Sequence, residues 1–268
     1  MNAVRTIKAV LIDLSGTLHI DKKPIEGAIE GLKKLRSSGI PVILALLEFC
    51  TNTTKESTQS LLKKLNSIGF EVHHHELFTS LSACKNIILT QGLRPLLLLN
   101  DEALEDFHDV PSNGPYDSVV VGLSPSKFNY ETLNQAFRIL LDDKAQLIAV
   151  HKARYFAESD GLSLGPGAFV SALEYSTGKV GKIVGKPEKS FFEIAIKDLD
   201  CLDSPENVVV IGDDIHADLG GGAKELGLIR YLVRTGKYRK GDENKFEGVD
   251  GVFENFGQVV EHIIQTNK

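Results

Sequence analysis

The chain has 268 residues and a net charge of −6, so it lacks the basic face that sequence-independent nucleic-acid binding needs. Apolar residues make up 42% and charged residues 25%, the balance of a globular protein large enough for one big α/β domain or two modest ones, and no window offers the roughly 20 apolar residues of a membrane span. Cys50, Cys84 and Cys201 are odd in number and far apart; they fit no zinc or disulfide framework, and a reducing, cytoplasmic compartment is the expectation.

In chain order, KAVLID (8–13) reads as a buried strand; polar turn residues follow at once, unlike the layout of a secretory signal. IEGAIEGLKKLRSSG (25–39) has helical periodicity with a stop at Gly39. IPVILALLEFC (40–50) reads as a second strand and TKESTQSLLKKLNSIG (54–69) as a core-facing helix. In the middle, RPLLLLN (94–100), DSVVVGL (117–123) and QLIAVH (146–151) read as strands. NYETLNQAFRILLDD (129–143) and PGAFVSALEYSTG (166–178) read as helices. The rhythm returns with a strand at 206–214 (ENVVVIGDD), a helix at 217–227 and a strand at 229–236; residues 236–251 form a polar loop. Continuous apolar strands separated by helices predict an α/β fold with a parallel sheet covered on both faces. The middle stretch of roughly 90 residues is long enough to be a domain inserted into an outer one; a single larger sheet is the alternative.

In open parallel sheets, ligands bind beyond the carboxyl ends of strands. Three such ends carry suggestive residues: Asp13 after the first strand, Thr51 and Asn52 after the second, and Asp213 and Asp214, with Asp218 one turn on, in VIGDDIHAD. Lys186 in VGKPEKSFF is a fourth. Together they suit phosphoryl transfer, which needs a nucleophile and neutralisation of the transferred oxygens. Asp13 can attack phosphorus, Asp13 and Asp213 can hold Mg²⁺, and Thr51, Asn52 and Lys186 can bind the phosphoryl group. Gly16 permits the tight turn and close backbone approach a phosphate requires. Each piece alone has a plainer reading: an Asp or TNTTKE as a helix cap, GKP as a turn, GDD as an acidic loop. Their joint occurrence at strand ends favours chemistry.

The pattern resembles the haloacid dehalogenase (HAD) superfamily of phosphohydrolases. DLSGT, TNT, GKP and GDDIHAD are similar to its four motifs, and GLSLGPGAFVSALEYSTG (161–178) is similar to the return segment of the C2-capped NagD and pyridoxal-phosphatase branch. The resemblance implies a Rossmann-like core over 1–88 and 181–268 and an α/β C2-type cap over 89–180. It implies Asp13 as nucleophile, Mg²⁺ on Asp13, the Ser15 carbonyl and Asp213, and support of the metal by Asp214 and Asp218. It also implies a small phosphorylated metabolite as substrate and a homodimer through the cap.

Two departures stand out. Ser15 occupies the position where the family has its general acid/base Asp, and a hydroxyl cannot protonate a leaving group at neutral pH. That help is worth about 10²–10⁴ in rate. Aryl and acyl phosphates, pyrophosphate and phosphoramidates should therefore be favoured over alkyl phosphates. The segment before Thr51 also looks a few residues long. Elsewhere the consecutive His73, His74 and His75 cannot easily converge on one ion and read as a solvated loop. His151 and Arg154 suit leaving-group contact or a structural role equally. His216 lines the acidic loop and Lys189 starts a helix. The alternatives are a low-turnover phosphate-binding regulatory protein, which Ser15 keeps open, and a haloacid dehalogenase, which would have no use for the acids around Asp213. A dinucleotide-binding protein is weakest, because no GxGxxG follows the first strand.

Overall fold

A computed structural model of the chain describes residues 6–38, 46–51, 56–111, 113–158, 161–245 and 248–267, with the backbone alone for 46–50, 156–158 and 161–162. Packing divides the chain into two compact units, one of Met1–Thr51, Leu61–Phe78 and Lys186–Lys268, the other of Asn52–Ser60 and Thr79–Gly185. The strands and helices begin with β1 (Ala9–Asp13), the hairpin strands β2 (His19–Ile20) and β3 (Lys23–Pro24), α1 (Ala28–Ser37), β4 (Leu46–Thr51), α2 (Thr58–Ile68) and β5 (Leu77–Thr79). Next come α3 (Ser80–Gln91), β6 (Pro95–Leu98), α4 (Asp101–Leu104), β7 (Ser118–Val121), α5 (Tyr130–Leu140) and β8 (Gln146–Ala149). They are followed by β9 (Tyr155–Glu158), β10 (Gly161–Leu164), α6 (Gly167–Thr177) and β11 (Lys182–Ile183). The last are α7 (Lys189–Asp198), β12 (Val208–Gly212), α8 (Gly221–Glu225), β13 (Ile229–Val233), β14 (Gly251–Phe253) and α9 (Phe256–Thr266).

The first unit holds a six-stranded sheet in the order β14-β13-β12-β1-β4-β5. β1 pairs in parallel with both β12 and β4. From β1 the chain steps outward to β4 and β5; on its return it starts at β12, on the other side of β1, and steps outward to β13 and β14. The order therefore reverses between β1 and β12, the kind of point where such sheets open a crevice for a ligand. Every residue of both strands is buried. Val10, Ile12, Val209 and Ile211 pack in one cluster with Leu32, Leu65 and Phe256, which explains why these strands read as unbroken apolar runs. α1 and α9 approach closely, because a Cβ on Gly31 would lie only 3.2 Å from the Gly257 Cα.

The second unit has its own parallel sheet, in the order β11-β8-β7-β6, and an antiparallel β9–β10 hairpin. One face of the sheet buries Val119, Val121, Leu147 and Ala149 against Ala136 and Leu140 of α5 and Val170 and Leu173 of α6. Asn129 starts α5 by accepting the Thr132 N–H at 3.0 Å. Gly178 ends α6 in the left-handed conformation, φ 70°. Two separate sheets exclude the single continuous sheet.

Several expected boundaries shift. A domain edge at 88/89 falls inside α3, and one at 180/181 falls before β11, which pairs with β8; both elements go with the second unit. The helix expected at 217–227 spans only Gly221–Glu225. Its first residues form a turn instead, with the Asp214 carboxylate accepting the N–H groups of His216 and Ala217 at 3.0 Å each. The helix expected at 25–39 covers Ala28–Ser37, and Gly39 and residues 40–45 lie outside the described residues. Among the described residues, no helix is long and apolar enough to cross a membrane.

Candidate active site

Asp13 is the last residue of β1, and Asp213 follows the last residue of β12. Because Ile12 is level with Ile211, the two acids leave adjacent strands at the same end of the sheet. The turn after β12 brings Asp218 back to them. All three are buried, and one carboxylate oxygen from each lies within 4.8 Å of the others. Lys186, equally buried, places Nζ 2.6 Å from Asp13 Oδ1 and 2.6 Å from Asp218 Oδ1. The Thr17 hydroxyl donates to Asp13 Oδ2 at 3.3 Å. Lys186 is held in place by its neighbour: the Gly222 N–H donates to the Pro187 carbonyl at 2.8 Å. A Cβ on Gly222 would overlap the Lys189 backbone, so glycine lets α8 meet the start of α7.

Backbone packs directly against Asp213. Gly16 turns with φ 98°, and a Cβ on it would overlap the Asp213 carboxylate. The turn after β13 closes the other side. The Thr235 hydroxyl donates to the Gly16 carbonyl at 2.5 Å, and the Lys237 N–H donates to Asp213 Oδ2 at 2.5 Å. Lys237 Nζ pairs with Asp214 Oδ2 at 3.1 Å. Thr235, Gly236 and Lys237 were not among the residues the sequence singled out. The available signal was their place just beyond β13, the strand next to β12.

Three carboxylates cluster about one contacting ammonium, Lys186, with the Lys237 charge acting on Asp213 and Asp218 from outside ion-pair distance. Burial, and after it the charges of Asp13 and Asp218, push Asp213 up to about 8. Burial, and after it Asp13, raise Asp218 to about 6, although Lys186 opposes the shift. Burial works against the Lys186 charge, yet Asp13 and Asp218 outweigh it and hold the ammonium above the ordinary lysine range. Asp213 Oδ1 is buried and, among the described residues, has no hydrogen-bond partner. A buried carboxylate oxygen without a donor, amid uncompensated negative charge, is what a hard divalent cation with oxygen ligands would satisfy. The donor set thus fits Mg²⁺.

The structure brings together Asp13, Lys186, Asp213 and Asp218. Thr51 is buried at the end of β4, one residue past the partner of Asp13 in the register. Asn52 lies outside the described residues. Ser15 is exposed in the turn after β1. Asp214 sits apart from the three clustered acids: burial would raise its carboxyl, but the Lys237 charge and the turn's N–H groups hold it low. His216 is exposed, and half-exposed Lys189 pairs with Glu193 at 3.3 Å. His73, His74 and His75 are exposed, with the His73 and His75 rings stacked 5.6 Å apart. Parallel rings do not aim their nitrogens at one ion. His151, buried, and Arg154, exposed, belong to the second unit; His151 Nδ1 accepts the Ala153 N–H at 3.3 Å.

Comparison with known proteins gives the family of the chain. Residues 10–110 match the family described as haloacid dehalogenase-like hydrolase, and residues 183–259 match a second, HAD-hydrolase-like one. Human haloacid dehalogenase-like hydrolase domain-containing protein 2 is 48% identical over 266 residues, covering 99% of each chain. The phospholysine phosphohistidine inorganic pyrophosphate phosphatase of Danio rerio is 36% identical over 245 residues, 90% of this chain and 87% of that one. Among solved structures, p-nitrophenyl phosphatase from Archaeoglobus fulgidus superposes with a TM-score of 0.84 at 27% identity, covering 96% of this chain and 99% of that one.

Proposed function

We propose, from the premise that this chain belongs to the haloacid dehalogenase-like hydrolase family, that it is a Mg²⁺-dependent phosphatase acting on a small phosphorylated molecule through phospho-Asp13. The observation that carries this reading is the buried cluster of Asp13, Asp213 and Asp218 with one ammonium, Lys186, at the switch point of the sheet. The phosphatases among the similar proteins support the reaction class.

A carboxylate oxygen of Asp13 attacks phosphorus as the bond to the leaving group breaks; water then attacks the acyl phosphate, releases phosphate and restores the carboxylate. Thr17 orients Asp13 through its hydroxyl. Lys186 offsets the charge of the transferred oxygens, and Thr51 and Asn52 bind them. Mg²⁺, held by Asp13, Asp213 and the Ser15 carbonyl with Asp218 beside them, would supply the positive charge the cluster lacks. Asp214 holds the loop that presents Asp213. The Ser15 hydroxyl is too weak an acid to protonate the leaving group at neutral pH, so aryl phosphates and other good leaving groups turn over faster than alkyl phosphates.

The test is 4-nitrophenyl phosphate hydrolysis with and without Mg²⁺, in the native chain and in Asp13→Asn. We expect Mg²⁺-dependent turnover and a loss on the order of 10⁴-fold or more in kcat in the variant, as for removal of a nucleophile. Undiminished turnover by the variant sinks the reading. Ser15 favours one second reading, a phosphate-binding protein of low turnover; tight binding of a phosphate analogue without hydrolysis would establish it. Metal-independent halide release would point to a dehalogenase.

A further inference from the structure

The turn after β13 reaches both loops that carry the acidic site. Thr235 Oγ1 donates to the Gly16 carbonyl, and the Lys237 N–H donates to Asp213 Oδ2. Gly236 lies between them with φ 51°, and a Cβ there would overlap both the Asp213 carboxylate and the Gly16 Cα. A Cβ on Gly16 would overlap the same carboxylate. Backbone from two loops therefore presses on Asp213 with no side chain between.

Two consequences follow for atoms that matter. With Oδ2 tied to Lys237, rotation of the Asp213 carboxylate is fixed, and the buried oxygen without a donor is Oδ1. The Ser15 carbonyl shares its peptide with the Gly16 N–H, which donates to the His19 carbonyl at 2.8 Å. In a trans peptide the carbonyl points opposite its N–H, so it faces away from His19. Thr235 holds the next peptide by its oxygen. Both peptides flanking Gly16 are thereby pinned.

We propose that Thr235, Gly236 and Lys237 form a positioning element for the cation site, fixing Asp213 Oδ1 and the Ser15 carbonyl in the orientation that cation binding needs. The proposal rests on the phosphatase reading above. None of the three touches the reacting atoms; they act through Asp213 and the Ser15–Gly16 turn.

The experiment measures Mn²⁺ binding to the full chain by electron paramagnetic resonance, with Mg²⁺ competition, beside kcat and KM for 4-nitrophenyl phosphate. Thr235→Val keeps the side-chain shape and removes the donor. We expect Thr235→Val to weaken Mn²⁺ binding about 10–100-fold, the usual cost of losing a group that orients a metal ligand, while Thr235→Ser restores most of it. KM at saturating Mg²⁺ should move much less than Mn²⁺ affinity. Gly236→Ala should weaken binding further; circular dichroism of each cation-free variant separates this from failure to fold, and the Thr235 pair carries the test if Gly236→Ala does not fold. Native-like Mn²⁺ binding by Thr235→Val, or a loss that Thr235→Ser does not restore, overturns this inference and leaves the phosphatase reading intact. A native chain that binds no Mn²⁺ and gains no turnover from Mg²⁺ overturns both.

Discussion

The two parallel sheets are built alike and end differently. In the second unit, β7 and β8 finish in Val121 and Ala149, buried among Leu147, Val170 and Leu173, and the chain leaves them through Gly122 and Val150. In the first unit, β1 and β12 are as apolar and as buried, but the chain leaves them through Asp13 and Asp213. Both sheets stabilise the protein by removing apolar surface from water. Among the described residues, only the first buries a cluster of carboxylates, whose charge a low-dielectric surrounding disfavours. One sheet holds a unit together; the other spends some of its stability on a site that a cation and a phosphoryl group would complete.

Ser15→Asp adds a general acid to the acidic end of the first sheet and should raise alkyl-phosphate turnover by about 10²–10⁴-fold, with a smaller gain on aryl phosphate. Steady-state kinetics on paired alkyl and aryl substrates measures this. Next, Lys186→Met leaves Asp13 and Asp218 buried without their ammonium; the expected cost to the cation-free protein is about 3–5 kcal/mol in urea unfolding. Added Mg²⁺ should recover part of that loss. The control sits in the other sheet. Leu147→Ala removes a side chain only 2% exposed and should cost about 2–5 kcal/mol by opening a cavity. The rise in Tm that Mg²⁺ produces should survive it unchanged.

The smallest effect is on pH. Asp213 and Asp218 lie above their ordinary value, at about 8 and about 6, so the folded protein binds more protons there than the unfolded chain. Their contribution to stability is full below the ordinary carboxylate value and is lost as pH rises through those two values. Cation-free Tm should therefore fall between pH 6 and 9, and the Mg²⁺-induced rise should grow over the same range. Thermal melts at both ends check the sign; a Tm that climbs with pH in the absence of metal contradicts the buried, repelling cluster.

Much of this was legible in the sequence because it depends on local pattern. Unbroken apolar runs ending in acids announced β1 and β12, and Gly178 marked a helix end. Lys186 and Asp13 are 173 positions apart, and what joined them was their common place at element ends together with the family pattern. The clasp from Thr235 to Gly16 spans 219 positions and, like that from Lys237 to Asp213, involves backbone atoms, which leave little trace in residue type. Asp214 and Asp218 looked equivalent in GDDIHAD; the turn separates them by bonding Asp214 to its own N–H groups and aiming Asp218 at Lys186. The β9–β10 pair escaped because each strand is only 4 residues long, too short for a period to stand out.

The most direct measurement is a crystal structure grown with Mn²⁺ and a phosphate analogue, using anomalous scattering to locate the ion. One peak at Asp13 and Asp213 is expected, with the analogue beside Asp13 and Lys186. An ion bound elsewhere, or none at these acids while the same preparation hydrolyses aryl phosphate, would contradict it.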